Sequence, residues 1–239
     1  ERVPAYASTM NYLEGIAPEQ LYPRQAVEHV ELGFTALKMR LGRYPVKREI
    51  PIAQAVRAAV GKDIQLMADG NAAYASKGAL AMGHALTELD FAFWEEPLPQ
   101  APDYAGYEQL RKKLAIPLAG GEALADRVAA KRLLNRGCFD IIQPDLALCG
   151  GISELLFIAE LAALHSVQTT PHCWGGVILI ASTLHALSLM ADPTWGHPTH
   201  TPMLELDQSE NPWRTQITDI SFQIEKDGHV AVPTKPGLG

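Results

Sequence analysis

Residues 139–172 read FDIIQPDLALCGGISELLFIAELAALHSVQTTPH, and this one stretch sets the reading of the whole chain. An apolar run at 139–144 and a second at 167–172 have the length of buried strands, and the segment SELLFIAELAALHS between them carries a helical apolar pattern. Two strands joined by a helix form a crossover unit, which lays the strands parallel. Both strands finish on a chemically active residue, Asp145 after the first and His172 after the second, 27 positions apart.

The same unit repeats outward in both directions. Strand candidates fall at VPAYAS (3–8), TALKMRL (35–41), IQLMAD (64–69), FAFWE (91–95), IPLAGG (116–121), FDIIQP (139–144), VQTTPH (167–172) and PMLEL (202–206). Amphipathic segments lie between them: PEQLYPRQAVEHVELG, PIAQAVRAAVG, SKGALAMGHALTELD, YAGYEQLRKKLA, LADRVAAKRLLNRG and SELLFIAELAALHS, several stopped by glycine as helix ends are. About eight strand–helix repeats in 239 residues are the pattern of a (β/α)₈ barrel. A doubly wound open sheet alternates in the same way, but no GxGxxG follows the first strand and there is no P-loop.

Composition narrows the partners. The formal net charge of −7 and the lack of a long basic run argue against nucleic acid and anionic membrane, and point to a small-molecule partner. No signal peptide and no apolar run of membrane-spanning length are seen, so a cytoplasmic protein is expected. Cys138, Cys149 and Cys173 lack CxxC spacing and read as reduced, small core residues.

Polar residues recur where each strand ends: Lys38 and Arg40 on the second, Asp69 on the third, Glu95 on the fourth, Glu122 after the fifth, Asp145 after the sixth, His172 after the seventh and Glu205 in the eighth. From Asp69 onward the steps to His172 are 26, 27, 23 and 27 residues, one repeat each. In a barrel this brings them all to one mouth, the carboxyl-terminal edge where such folds hold their chemistry. Asp69, Glu95 and Glu122 on consecutive strands would repel one another without a cation between them, and an all-oxygen donor set suits Mg²⁺, or Mn²⁺. Each acid alone reads equally well as a helix cap or a solvated charge. Glu96 should point away from Glu95 and support it.

Asp145 bonded to one imidazole nitrogen of His172 would fix the tautomer and raise the basicity of the other nitrogen, making a positioned base. The Cys-Trp-Gly-Gly turn after His172 lets backbone approach a ligand. His29, His84, His165, His185, His197, His200 and His229 are read as non-catalytic. Glu205 lies in an apolar run, where burial would keep its carboxyl group protonated and able to donate. It could equally be an outward-facing strand residue.

The ordered set ALKMRLG, MADGN, WEEPL, GGEAL, IIQPD with LCGGISE, PHCWGG and LELDQSENPWR resembles the enolase superfamily, mandelate racemase subgroup, over essentially the whole chain. The resemblance implies a TIM-like (β/α)7β barrel, a Mg²⁺ ion on Asp69, Glu95 and Glu122, and an Asp145–His172 dyad. It also implies Glu205 as a hydrogen-bond donor to a substrate carboxylate, and Asn71, Lys38 and Arg40 against the substrate. The expected reaction is abstraction of the proton α to a carboxylate, a scheme in which a Lys or His base works with Mg²⁺.

Many members carry Lys-x-Lys on the second strand, with the second lysine as a base, where this chain has Lys38-x-Arg40. An arginine is a poor proton acceptor. A one-base reaction through His172 is therefore expected: an acid-sugar dehydratase or cycloisomerase acting on an aldonate, aldarate or lactone. The alternatives are a 2-hydroxy-acid racemase or epimerase using Lys38 as second base, and a catalytically impaired barrel that only binds metal and sugar acid. The family's N-terminal capping domain has no counterpart here, so residues 1–215 are expected to be the barrel, whether trimmed or naturally reduced. Residues 216–239 are expected to form a tail, with a hairpin turning at Asp227-Gly228 and packing on a cap. Family analogy points to a homo-oligomer.

Overall fold

The computed structural model describes residues 1–100, 104–190, 201–214 and 216–239. Eight strands form one parallel sheet: β1 (Arg2–Ser8), β2 (Ala36–Arg40), β3 (Gln65–Asp69), β4 (Phe91–Glu95), β5 (Leu118–Gly120), β6 (Ile141–Ile142), β7 (Gln168–Thr169) and β8 (Leu204–Asp207). They run in the order β7-β6-β5-β4-β3-β2-β1-β8. Sequence neighbours are therefore spatial neighbours from β1 to β7, and β8 returns beside β1.

The helices are α1 (Pro18–Leu32), α2 (Val46–Val60), α3 (Ser76–Glu88), α4 (Ala105–Arg111), α5 (Arg127–Arg136), α6 (Leu146–Cys149), α7 (Ile152–Leu164) and α8 (Val177–Leu189). Six of these answer the amphipathic segments of the sequence. The short α6 and the long α8 do not. Helix α8, VILIASTLHALSL, is apolar almost all round and buries eight residues, so it shows no polar stripe from which a helical period could be read.

Strand parity sorts the core into two layers. Leu37, Met39, Leu66, Ala68, Trp94, Leu118 and Ile142 join helix residues such as Ile52, Val56, Met82 and Leu133 in the main core. On the opposite face Tyr6, Ala36, Met67, Phe93, Ala119, Ile141 and Met203 make a second buried cluster. Side chains two apart on a strand share a face, so Lys38 and Arg40 follow Ala36 onto this inner side. One residue from each of β1 to β6, with Met203 just before β8, meets in that cluster, which requires the sheet to curl around it. Among the described residues no ladder joins β7 to β8. Their ends meet instead through the Cys173 backbone N–H, which donates to Glu205 Oε2 at 3.1 Å.

The turn expected at Asp227-Gly228 is present: Gly228 N–H donates to the Glu225 carbonyl and Glu225 N–H to the His229 carbonyl. Only one side of the expected hairpin is a strand, β9 (His229–Ala231), and it pairs antiparallel with Arg2, Val3 and Pro4 of β1. Gly228 lies so close to Thr35 that a Cβ would stand 2.7 Å from its Oγ1, and its φ of +81° is one that glycine adopts without strain. The tail is thus fastened to the amino-terminal edge of the sheet, opposite the strand ends that carry the polar residues. No described helix is long and apolar enough to cross a membrane. The three cysteines are buried, as their reading as small core residues expects.

Candidate active site

Register aligns the first half of the mouth. Arg40 pairs with Asp69 across β2 and β3, and Asp69 with Glu95 across β3 and β4, so three charges stand in one row. Lys38 lies one inward position deeper and is fully buried. Its Nζ is 2.6 Å from Glu95 Oε2, 2.7 Å from Glu205 Oε1 and 4.0 Å from Asp69 Oδ2. Burial works against its charge, but Glu205, Glu95 and Asp69 outweigh that and hold the proton more tightly than in an ordinary lysine. In this arrangement Lys38 is an ammonium ion enclosed by carboxylates. The racemase alternative needs the opposite shift, a lysine with a depressed pKa.

Glu205 departs from expectation for the same reason. Burial alone would keep it protonated, but Lys38, His172 and Arg40 hold it ionised, well below the usual carboxylate range. It therefore accepts from the Cys173 N–H and pairs with Lys38, where the sequence reading made it a neutral donor. Arg40 pairs with Asp69, reaches Asn71 Oδ1 at 3.5 Å and Ser8 Oγ at 3.4 Å, and stands 6.0 Å from the ring centre of Trp174. Asn71 donates to Asp69 through both its backbone N–H (2.8 Å) and its side-chain amide (3.1 Å). The residues expected to face substrate thus first serve to fix Asp69.

The second half of the mouth is built from turns that follow very short strands. Asp145 caps α6, accepting the Ala147 N–H at 2.7 Å through Oδ1, and accepts His172 Nδ1 at 2.7 Å through Oδ2. The cap and the orienting carboxylate are one side chain. With Nδ1 committed, His172 Nε2 points to Glu122 Oε2, 3.5 Å away. Burial would lower the imidazole pKa, but the Asp145 hydrogen bond and the charges of Glu205 and Glu122 push it up to about 9. Glu122 and Glu96 are pushed up to about 7, chiefly by burial and then by neighbouring carboxylates, with His172 opposing the rise at Glu122. Asp69 is raised as well, by burial and Glu95.

Donor chemistry at the mouth suits a hard divalent cation: Asp69, Glu95 and Glu122 supply only oxygen, and Glu95 Oε1 is buried without a hydrogen-bond partner. Among the described residues, however, no three His, Cys, Asp or Glu side chains converge as a finished metal cage. Lys38 and Arg40 stand among the carboxylates, and Asp69, Glu95 and Glu122 turn to Arg40, Lys38 and His172 respectively.

Two contributors were not singled out from the sequence. Gln143 is fully buried and donates to Glu95 Oε2 at 2.8 Å. Its place two residues before Asp145 in IIQPD was the available signal, since alternate residues at a strand end share a face. Trp174, largely exposed, stands beside Arg40. Glu96 does turn from Glu95: its φ is +37°, and it accepts from Gln100 Nε2 at 2.5 Å and from Gly121 N at 3.4 Å. Of the other histidines, His29, His185 and His229 bond backbone carbonyls, while His197 and His200 lie outside the described residues.

A parallel α/β sheet that gathers acids, a His–Asp pair and a buried lysine at the carboxyl ends of its strands has the layout in which such folds hold their chemistry. The chain belongs to the enolase superfamily: residues 22–239 match the family described as Enolase C-terminal domain-like. It is 34% identical to D-galactarolactone cycloisomerase of Agrobacterium fabrum, over 100% of this chain and 62% of that protein. It is 30% identical to arabinonate dehydratase of Saccharolobus solfataricus, over 100% of this chain and 61% of that protein. Among solved structures, the 3,6-anhydro-D-galactonate cycloisomerase of Zobellia galactanivorans superposes with a TM-score of 0.85 at 34% identity, covering 100% of this chain and 63% of that one. The chain therefore spans less than two thirds of the length of these relatives.

Proposed function

We propose that this chain carries the catalytic barrel, (β/α)7β, of an acid-sugar dehydratase or cycloisomerase that removes the proton α to a carboxylate. The observation that carries the reading is the His172 ring, oriented by Asp145 at 2.7 Å on Nδ1, with Nε2 facing the carboxylate row. The names of the relatives, a cycloisomerase and a dehydratase of sugar acids, support the substrate class. Residues 1–215 form the barrel in this reading, and residues 216–239 the tail laced to β1.

His172 Nε2 exchanges the α-proton, and Asp145 stabilises the imidazolium that results. The ring's tight hold on its proton comes partly from Glu122 and Glu205, so positive charge placed on Glu122 returns it toward a proton acceptor. Lys38 is paired at 2.7 Å with Glu205, a carboxylate outside the metal set, which keeps its positive charge when Asp69 and Glu95 turn to an ion, and Arg40 cannot accept a proton. Only one base remains, which favours elimination or cycloisomerisation over two-base racemisation. Asp69, Glu95 and Glu122 would hold Mg²⁺, or Mn²⁺, which when bound offsets the charge that develops on the substrate carboxylate.

Incubation with Mg²⁺ and a panel of aldonates, aldarates and their lactones in D₂O tests the reaction. Loss of water or ring opening to a 2-keto-3-deoxy acid is expected, with deuterium entering at the β-carbon, because the α-carbon becomes the ketone carbon. Inversion with deuterium and no elimination would overturn the one-base reading. Calorimetric titration of Mg²⁺ into the wild type and Asp69→Ala tests the ligand set, and equal affinities would refute it.

A further inference from the structure

Glu49 lies in the first turn of α2 and is completely buried, yet no part of the reaction outlined above uses it. Its carboxylate takes four hydrogen bonds. Oε1 accepts from Tyr12 Oη at 3.0 Å, from the Gly42 backbone N–H at 2.8 Å and from the Tyr44 backbone N–H at 2.9 Å, and Oε2 accepts from Tyr74 Oη. Tyr12 belongs to the loop after β1, Gly42 and Tyr44 to the loop after β2, and Tyr74 to the loop after β3. One buried carboxylate therefore ties three consecutive loops at the active edge of the sheet.

Those loops begin at the residues that hold the first half of the site. Ser8 ends β1, Arg40 ends β2, and Asp69 ends β3 with Asn71 just beyond it. Asn71 and Ala72 both have positive φ, 42° and 59°, a conformation that non-glycine residues hold only when their surroundings impose it. Gly42 supplies part of that constraint. At φ +108° it packs so tightly that a Cβ would come within 2.5 Å of the Ala73 Cβ and 2.9 Å of the Gly70 carbonyl. Tyr74, whose hydroxyl ends on Glu49, stacks edge-on against Trp94 at 5.3 Å, joining the network to β4.

We infer that Glu49 is a positioning residue that locks the loops after β1, β2 and β3 into one cooperative unit, and so fixes Arg40, Asp69 and Asn71 at the mouth. Its consequence for the site rests on the acid-sugar reading above; the mechanical coupling does not. An anion suits this task because a carboxylate only accepts, and all four partners are donors. A glutamine in its place would turn one donor toward another and leave at least one buried N–H or O–H unpaired.

Tyr12→Phe and Tyr74→Phe each delete one donor and keep the ring, so they test the coupling without emptying the core. Amide hydrogen exchange is followed in peptides covering 9–17, 41–45 and 70–75. In each variant, exchange is expected to quicken about tenfold in all three loops, the factor that corresponds to one lost hydrogen bond. Acceleration confined to the loop that carries the substitution would overturn the inference. Glu49→Gln can keep its carbonyl under the three donors on Oε1, so its amide falls against Tyr74; the largest acceleration is expected in 70–75, and unchanged exchange there would also overturn the inference. Mg²⁺ titration by calorimetry reads the consequence for Asp69, with weaker binding expected in both tyrosine variants. If the wild type takes up no Mg²⁺ and turns over no acid sugar, the functional reading fails, while the exchange pattern still decides the role of Glu49.

Discussion

The two flanks of the mouth are built on opposite principles. On the β1–β4 side, strands of five to seven residues pair side by side, with one register shift between β3 and β4 at Leu66/Met67, and the charges at their ends neutralise one another in ion pairs. On the β5–β7 side the strands shrink to two or three residues, and the polar groups sit in the turns after them. Lys38 and His172 summarise the contrast. The lysine is sealed among three carboxylates that hold its proton, whereas the imidazole keeps 13% of its side chain exposed and leaves one nitrogen turned to the mouth. A rigid charged ladder on one side provides the field, and a flank of turns on the other provides the group that exchanges a proton.

Breaking the ladder should have the largest effect. Lys38→Met leaves Glu95 and Glu205 buried without their cation, and loss of about 3–5 kcal/mol is expected by urea denaturation, the usual cost of removing one partner of a buried pair. If stability falls by less than a surface substitution would cost, the ladder is not the rigid half.

On the other flank, His172→Asn should leave the urea midpoint nearly unchanged while turnover of the responsive acid sugar drops about 10²–10⁴-fold, the range for loss of a positioned base. A fall in stability that matched the loss of rate would erase the distinction between the flanks. Gly42→Ala forces a side chain into a left-handed, crowded position between two loops. About 1–3 kcal/mol of destabilisation is expected from strain of this kind, measured by thermal or urea melting. The smallest effect should come from Arg2→Ala. Its pairs with Glu225 and Asp227 are half exposed at the far edge, so no measurable change in melting temperature or turnover is expected.

The same contrast explains what could be read from the chain beforehand. In ALKMRL the alternation of apolar and charged residues already assigns Leu37 and Met39 to one face and Lys38 and Arg40 to the other, and the structure keeps that division. The step of one repeat from Asp69 to His172 was legible because each unit has nearly the same length. Protonation was not legible. Whether Glu205 is neutral or charged depends on Lys38 reaching it from a strand 167 positions earlier in the chain, and burial alone suggested the wrong sign. Helix α8 escaped because it lacks a polar stripe, and Glu49 because a single acid in a helix's first turn looks like an ordinary favourable charge against the helix dipole. Its importance lies in two donors, Tyr12 and Tyr74, from loops that only the folded sheet brings together with its own.

The position of β1 has a consequence in time. It is flanked by β2, made soon afterwards, and by β8, about two hundred residues downstream. At ribosomal rates of about 5–20 residues per second, one edge of β1 waits roughly 10–40 s for its partner. During that interval an apolar strand with unpaired backbone groups is open to the wrong neighbour. The late β8 thus governs whether the early β1 is ever safe, and mutations in β8 should be felt in yield from cells before they are felt in the melting temperature of what survives.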